Sequence, residues 1–144
     1  MKIADCMTLD VRIASPTQTL QQVAQTMADV DAGVLPVAEG DRLVGMITDR
    51  DITIRAVAQG RGPDALVKDV MTTEVLYTYE DENVQDVLRN MGDIKVRRLP
   101  VVNRDKRLVG IVSLSDMCSG GAQPSSDALR EIAKPGGPHS QTIH

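Results

Sequence analysis

Two short strings hold the side chains best suited to chemistry, and they match each other. Gly45-Met46-Ile47-Thr48-Asp49-Arg50-Asp51 and Gly110-Ile111-Val112-Ser113-Leu114-Ser115-Asp116 share one form: Gly, two apolar residues, a hydroxyl residue, two further residues and Asp. The apolar run before each hydroxyl reads as a strand, and the Asp sits in the first turn of the helix that follows. Ser or Thr followed three residues later by an acid is a capping box in outline: the hydroxyl caps the helix and the acid complements its dipole. The same joint also suits a ligand. N–H groups at a helix start attract phosphate, a hydroxyl beside them donates to a phosphate oxygen, and a carboxylate accepts from both hydroxyls of a ribose. Capping and nucleotide binding are compatible, and the spacing alone leaves both open.

Two cations are candidates to assist. Arg97-Arg98 precede Leu99 where Gly33-Val34 precede Leu35. Arg97 is therefore a candidate phosphate anchor, since a guanidinium presents a fork of donors; the plainer reading is a solvent-facing strand start. Arg50 lies on the first helical turn, and its plainer reading is a surface salt bridge with Asp49 or Asp51. The unequal charge implies two sites of different affinity.

Other chemistries find little support. There is no Ser-His-Asp order, no metal-ligand cluster and no Walker-type phosphate loop. His139 and His144 fall in a Pro- and Gly-rich tail and read as solvated. Cys6 and Cys118 lack metal-ligand spacing and read as buried or half-buried thiols in a reducing compartment. Asp49 and Asp51 form an acid pair of a kind usually solvated at a helix start. These features argue against an enzyme.

The elements that must position the joints come as an internal repeat. Asp5-Cys6-Met7-Thr8 returns as Asp69-Val70-Met71-Thr72, and Leu35-Pro36-Val37 as Leu99-Pro100-Val101, both 64 positions later. Arg42-Leu43-Val44-Gly45 returns as Arg107-Leu108-Val109-Gly110, and Asp51 as Asp116, both 65 positions later, so one residue has entered the intervening turn. Each half reads strand, helix, strand, strand, helix. The first has a strand over Val11–Ser15, Pro16 in a first helical turn, an apolar helix face of Leu20, Val23, Ala24 and Met27, hairpin strands Val34–Ala38 and Leu43–Thr48, and a helix Asp51–Ala58 ended at Gly60. The second has a strand over Glu74–Tyr79, the face Val84, Val87, Leu88 and Met91, strands Leu99–Val102 and Leu108–Ser113, and a short last helix interrupted at Gly120-Gly121. The predicted organisation is 1–60 for repeat one, 61–67 for a linker, 68–121 for repeat two, and 122–144 for a further short helix near Ser126–Ala133 with a disordered tail. A unit this small cannot bury its sheet face alone. The expectation is an α/β fold of two β-α-β-β-α repeats packed sheet to sheet with pseudo-two-fold symmetry, leaving two clefts where the halves meet.

Composition agrees. The 144 residues are 42% hydrophobic, with no Phe, no Trp and two Tyr, so the core must be aliphatic. The formal charge of −4 disfavours nucleic acid as a partner. No apolar run approaches a membrane span, and Met1-Lys2-Ile3-Ala4-Asp5 does not open a signal peptide, which points to the cytoplasm.

The repeated Leu-Pro-Val, Leu-Val-Gly and Thr/Ser-x-x-Asp pattern resembles a tandem pair of CBS domains over residues 3 to 118. Gly110 to Asp116 is similar to the nucleotide-sensing gamma subunit of AMP-activated protein kinase, and Thr48-Asp49-Arg50-Asp51-Ile52, with Arg55 and Gly60, to small bacterial CBS-pair proteins. The resemblance implies an adenine ligand, namely AMP, ADP, ATP, NAD or S-adenosylmethionine, with no catalytic cofactor. It implies that Asp51 and Asp116 hold ribose hydroxyls, with Thr48 and Ser113 near ribose or phosphate. Around Asp116 it adds Ile111, Arg97, Leu9, Val11, Ala32 and Gly33; around Asp51 it adds Met46, Lys68, Thr73, Val75 and Val96. It further implies a homodimer through the amphipathic helices and a signal passed to a protein partner in trans. A scaffold with empty clefts is the competing reading.

Overall fold

The computed structural model describes residues 1–94 and 97–119. The expected Ser126–Ala133 helix, the tail histidines and Val96 lie outside them. The described chain forms two compact units, Arg12–Val75 and Met1–Val11 together with the residues from Leu76 on.

In the Arg12–Val75 unit, helix α1 (Leu20–Val30) starts at a capping box: Thr19 Oγ1 accepts the Gln22 N–H and Gln22 Oε1 accepts the Thr19 N–H. Asp31, left-handed at φ 52°, ends it. Strands β1 (Val34–Glu39) and β2 (Arg42–Thr48) form an antiparallel hairpin whose two-residue turn opens on Gly40 at φ 63°. Ala14 bridges Val37 in parallel on one side, and Thr72 bridges Met46 antiparallel on the other. Helical turn α2 (Asp49–Asp51) continues as a π turn over Ile52–Ala56 and a 3-10 turn over Val57–Gln59, closed by Gly60 at φ 79°. Leu20, Val23, Met27, Leu35, Val37 and Ile47 make the core with Val67 and Val70.

The second unit repeats this plan. Strand β3 (Thr78–Tyr79) runs parallel to β4 (Arg98–Val102), β4 pairs antiparallel with β5 (Leu108–Ser113), and Thr8 bridges Ile111. Helix α3 (Val84–Ile94) buries Val84, Val87, Leu88 and Met91 against Leu99, Val101, Val112 and Ile3, and helix α4 (Leu114–Ser119) adds Met117.

The leading segments are thus exchanged. Thr8 and Ile3, which open the first repeat, complete the sheet and core of the second; Thr72, Val67 and Val70, which open the second, complete the first.

Several expectations need correction. The Val11–Ser15 strand shrinks to a single bridge at Ala14. The Ser15 N–H turns to Gln18 Oε1 and Pro16 has no N–H, so the ladder stops there. Pro16 lies in a turn ahead of α1, because the Thr19–Gln22 box sets the helix start. Ala24 is exposed on α1. The Glu74–Tyr79 strand contracts to Thr78–Tyr79, leaving Leu76 and Tyr77 exposed beside the point where the chain leaves one unit for the other.

Candidate functional site

Each unit presents one strand-to-helix joint with the same internal geometry. In the first, the Thr48 N–H donates to Asp51 Oδ2 and the Asp51 N–H donates to Thr48 Oγ1, both at 3.0 Å. In the second, Ser113 and Asp116 make the same pair of bonds, again at 3.0 Å. The capping box is therefore fully formed in both. Thr48 and Asp51 are buried, at 5% and 8% exposure, whereas Ser113 and Asp116 are half-buried. The burial of the Asp51 carboxylate is offset by the Thr48 N–H on Oδ2 and by the Arg55 guanidinium 3.8 Å from Oδ1.

A glycine behind each joint lets the exchanged segment approach. A Cβ on Gly45 would lie 2.9 Å from both Met71 Sδ and the Thr72 carbonyl, and one on Gly110 would lie 2.8 Å from Met7 Sδ and 2.9 Å from the Thr8 carbonyl. Only glycine fits beside that backbone. Two hydrogen bonds then lock each segment in place: Met46 with Thr72 at 2.9 and 2.8 Å, and Thr8 with Ile111 at 2.8 and 3.0 Å. The repeated Met-Thr and Leu-Val-Gly motifs are the two faces of one contact.

The joints differ in their surroundings. The Asp49 N–H donates to the Gly33 carbonyl at 2.9 Å, and the Leu114 N–H donates likewise to the Arg97 carbonyl at 2.9 Å. At the first joint the Asp49 carboxylate fills the space beside Gly33, where a Cβ would come within 2.8 Å of Oδ2, and its Oδ1 accepts the Arg50 N–H at 2.9 Å. Arg55, on the π turn, donates through Nη1 to the Val70 and Met71 carbonyls and to Thr72 Oγ1 at 3.2, 3.3 and 3.2 Å, and its Nε lies 3.8 Å from Asp51 Oδ1. At the second joint Cys6 is the neighbour: burial first, then the Asp116 and Asp5 carboxylates, push its thiol up, opposed by the N-terminal ammonium.

Met46, Thr48, Arg50, Asp51, Lys68, Thr73 and Val75 all belong to the first unit. Met46 is buried at the Thr72 bridge, Thr73 follows that bridge and is exposed, Val75 is half-buried, and Lys68 is exposed. Arg50 is half-buried, and among the described residues its guanidinium pairs with neither Asp49 nor Asp51. Ile111, Ser113, Asp116, Arg97, Leu9 and Val11 belong to the second unit, whereas Ala32 and Gly33 belong to the first. Arg97 is exposed, Leu9 is 72% exposed and Val11 is half-buried. The sequence reading gave no site role to Arg55, Met7, Met71 or Asp49. The duplicated Met-Thr was the available signal for the methionines, and Arg55 stood in the resemblance without a role.

Among the described residues no group of three or more His, Cys, Asp or Glu could hold a metal ion, and no helix is long and apolar enough to cross a membrane.

Comparison with known proteins places this geometry. The CBS domain description matches residues 3–57 and 67–120. The CBS domain-containing protein YhcV of Bacillus subtilis is 41% identical over 115 residues, covering 80% of this chain and 81% of its own. The crystal structure of Hypoxic Response Protein I, with two coordinated zinc ions, superposes with a TM-score of 0.74 at 35% identity, covering 83% of this chain and 98% of that one. The CBS domain pair of protein MJ0100, in complex with 5′-methylthioadenosine and S-adenosyl-L-methionine, superposes with a TM-score of 0.72 at 28% identity, covering 85% and 100%. With both repeats matched by the CBS domain description and a relative 41% identical over 80% of the chain, the chain belongs to the CBS domain family and carries a tandem pair of its domains.

Proposed function

We propose that the chain is a regulatory, non-catalytic module that takes an adenosine-containing small molecule at its two joints, with Asp51 and Asp116 grasping the ribose diol. The observation that carries this reading is the division of labour within each carboxylate. Oδ2 is held by the strand-end N–H, while among the described residues Oδ1 accepts no hydrogen bond at either joint. A carboxylate oxygen so fixed can accept a hydroxyl without reorganising the helix start. Both ligands of MJ0100 share an adenosine moiety, which supports the same class here. AMP, ADP, ATP, NAD and S-adenosylmethionine all present that moiety. Arg50 is the phosphate anchor of this reading at the Asp51 joint and Arg97 at the Asp116 joint, with Met46 offering aliphatic cover for adenine at the first and Ile111 at the second. The module acts in the cytoplasm as a homodimer and passes its signal to a protein partner in trans.

The test is calorimetry against a panel of adenine compounds with the wild type, Asp51→Ala and Asp116→Ala. Each alanine is expected to weaken one site selectively, and unchanged binding in both variants refutes the ribose roles.

One observation favours a second reading, a ligand-free scaffold: each aspartate already serves the fold by accepting the strand-end N–H through Oδ2. Thermal unfolding separates the two. A ligand specific for the folded state at a hundred times its Kd adds about 2.7 kcal/mol and raises Tm. A flat response to AMP, ATP and NAD selects the scaffold.

A further inference from the structure

We propose that Arg55 is a positioning residue for the Asp51 joint alone, binding the carboxylate to the exchanged segment so that ligand at one is felt by the other. The inference rests on the adenosine-binding reading above. Its first support is location. Arg55 lies within the π turn that follows Asp51 directly, where the Val57 N–H reaches back to the Ile52 carbonyl. Such widened turns are rare and gather at functional positions.

The second support is the pattern of contacts. Nη1 is shared among three acceptors on one segment, the Val70 and Met71 carbonyls and Thr72 Oγ1. Those residues lead directly into the Met46–Thr72 ladder and carry the Met71 side chain that lies against Gly45. The same guanidinium stands 3.8 Å from Asp51 Oδ1, too far for a hydrogen bond and near enough for charge attraction. Asp51 Oδ1 is thus held by charge while its lone pairs stay open to a hydroxyl. A diol hydrogen-bonded there draws the carboxylate, and with it the cation that clamps residues 70–72.

The third support is asymmetry. The 65-position offset that relates Asp51 to Asp116 relates Arg55 to Gly120, which has no side chain. Among the described residues the Asp116 joint has no such link, so the two respond differently to the same ligand.

The experiment uses the full chain with Asp116→Asn, which leaves the Asp51 joint to be read by itself, and titrates 5′-methylthioadenosine and AMP by calorimetry. Arg55→Gln is expected to weaken binding about tenfold, the scale of a lost charge-assisted contact. Arg55→Lys should recover part of that loss, since it restores the charge but not the fork. In the complementary Asp51→Asn background, Arg55→Gln should leave the Asp116 joint unchanged. Amide exchange gives a further readout: ligand should slow exchange at Thr72 in the wild type and not in Arg55→Gln. Tight binding by Arg55→Gln with Thr72 still protected overturns this inference alone. Failure of every adenosine compound to bind the wild type overturns the functional reading and this inference with it. If Arg55→Gln fails to fold, Arg55→Lys decides: full affinity with full Thr72 protection counts against the fork.

Discussion

Thr48 and Asp51 hold each other through two reciprocal hydrogen bonds of 3.0 Å, one from each backbone N–H to the other's side chain. The carboxylate therefore stabilises the fold and is also the candidate ligand group, and the two roles can be pulled apart. An amide keeps one oxygen acceptor for the Thr48 N–H but loses the charge; alanine loses both. Asp51→Ala should cost about 1 kcal/mol through the lost reciprocal bond to the buried Thr48 N–H, with Asp51→Asn much closer to the wild type. Both should weaken adenosine binding at that joint. Urea unfolding and calorimetry on the same samples check this. Equal stability loss in the two variants would show that the charge, not the acceptor, secures the helix start.

The glycines behind the joints should tolerate alanine less well than Gly33. Gly45→Ala and Gly110→Ala each place a methyl within 3 Å of a backbone carbonyl that is fixed by its own ladder. Overpacking of this kind costs about 1–3 kcal/mol. Gly33→Ala meets the side-chain carboxylate of Asp49 first, at 2.8 Å, and should be milder, milder still when combined with Asp49→Ala. Thermal melts of the four variants test the ranking.

Fragment boundaries should follow the units rather than the repeats. A fragment covering 1–60 holds the β1–β2 hairpin but lacks Val67, Val70 and the Thr72 bridge. A unit of this size is marginal to begin with, and two lost buried side chains remove about 3–6 kcal/mol of apolar burial. A fragment covering 12–75 keeps all of them. The longer-ranged cut should therefore melt cooperatively by far-ultraviolet circular dichroism, and the 1–60 fragment should not.

Cys6 should respond to alkaline pH and to its neighbour Asp116. Its raised pKa favours the neutral thiol in the folded state. The unfolded chain then releases the proton first, so stability is complete below the ordinary thiol range and falls as pH rises through it. Iodoacetamide should modify the exposed Cys118 before the half-buried Cys6. Asp116→Asn removes one of the charges that raise the thiol and should speed modification of Cys6, as read by mass spectrometry. An unchanged Cys6 rate in that variant would leave burial and the Asp5 carboxylate as the causes.

Much of this was legible in the sequence. The apolar spacing of Val84, Val87, Leu88 and Met91 gave α3 and its buried face, because burial imposes the 3.6-residue period directly on residue type. The hairpins were legible from apolar runs around Gly40-Asp41 and Asn103–Lys106. The Thr48–Asp51 and Ser113–Asp116 boxes were legible because their spacing is local. The exchange of leading segments was not. Met7-Thr8 and Met71-Thr72 sit at the same place in each repeat, so a pattern that is identical in both halves cannot say which half either pairs with. The π turn escaped for a similar reason: Ile52-Thr53-Ile54-Arg55-Ala56 has nothing that disfavours an ordinary helix, and the contacts of Arg55 lie 15 to 17 residues away.

The crossed leaders bear on how such a chain could arise. Neither half owns the segment that bridges the outer edge of its hairpin; each takes it from its sibling. A one-repeat ancestor with the same plan would have had to lend that segment to a twin molecule and receive one in return. Gene duplication would then have joined two mutual debtors into a single polypeptide, after which neither could be deleted without stranding the other.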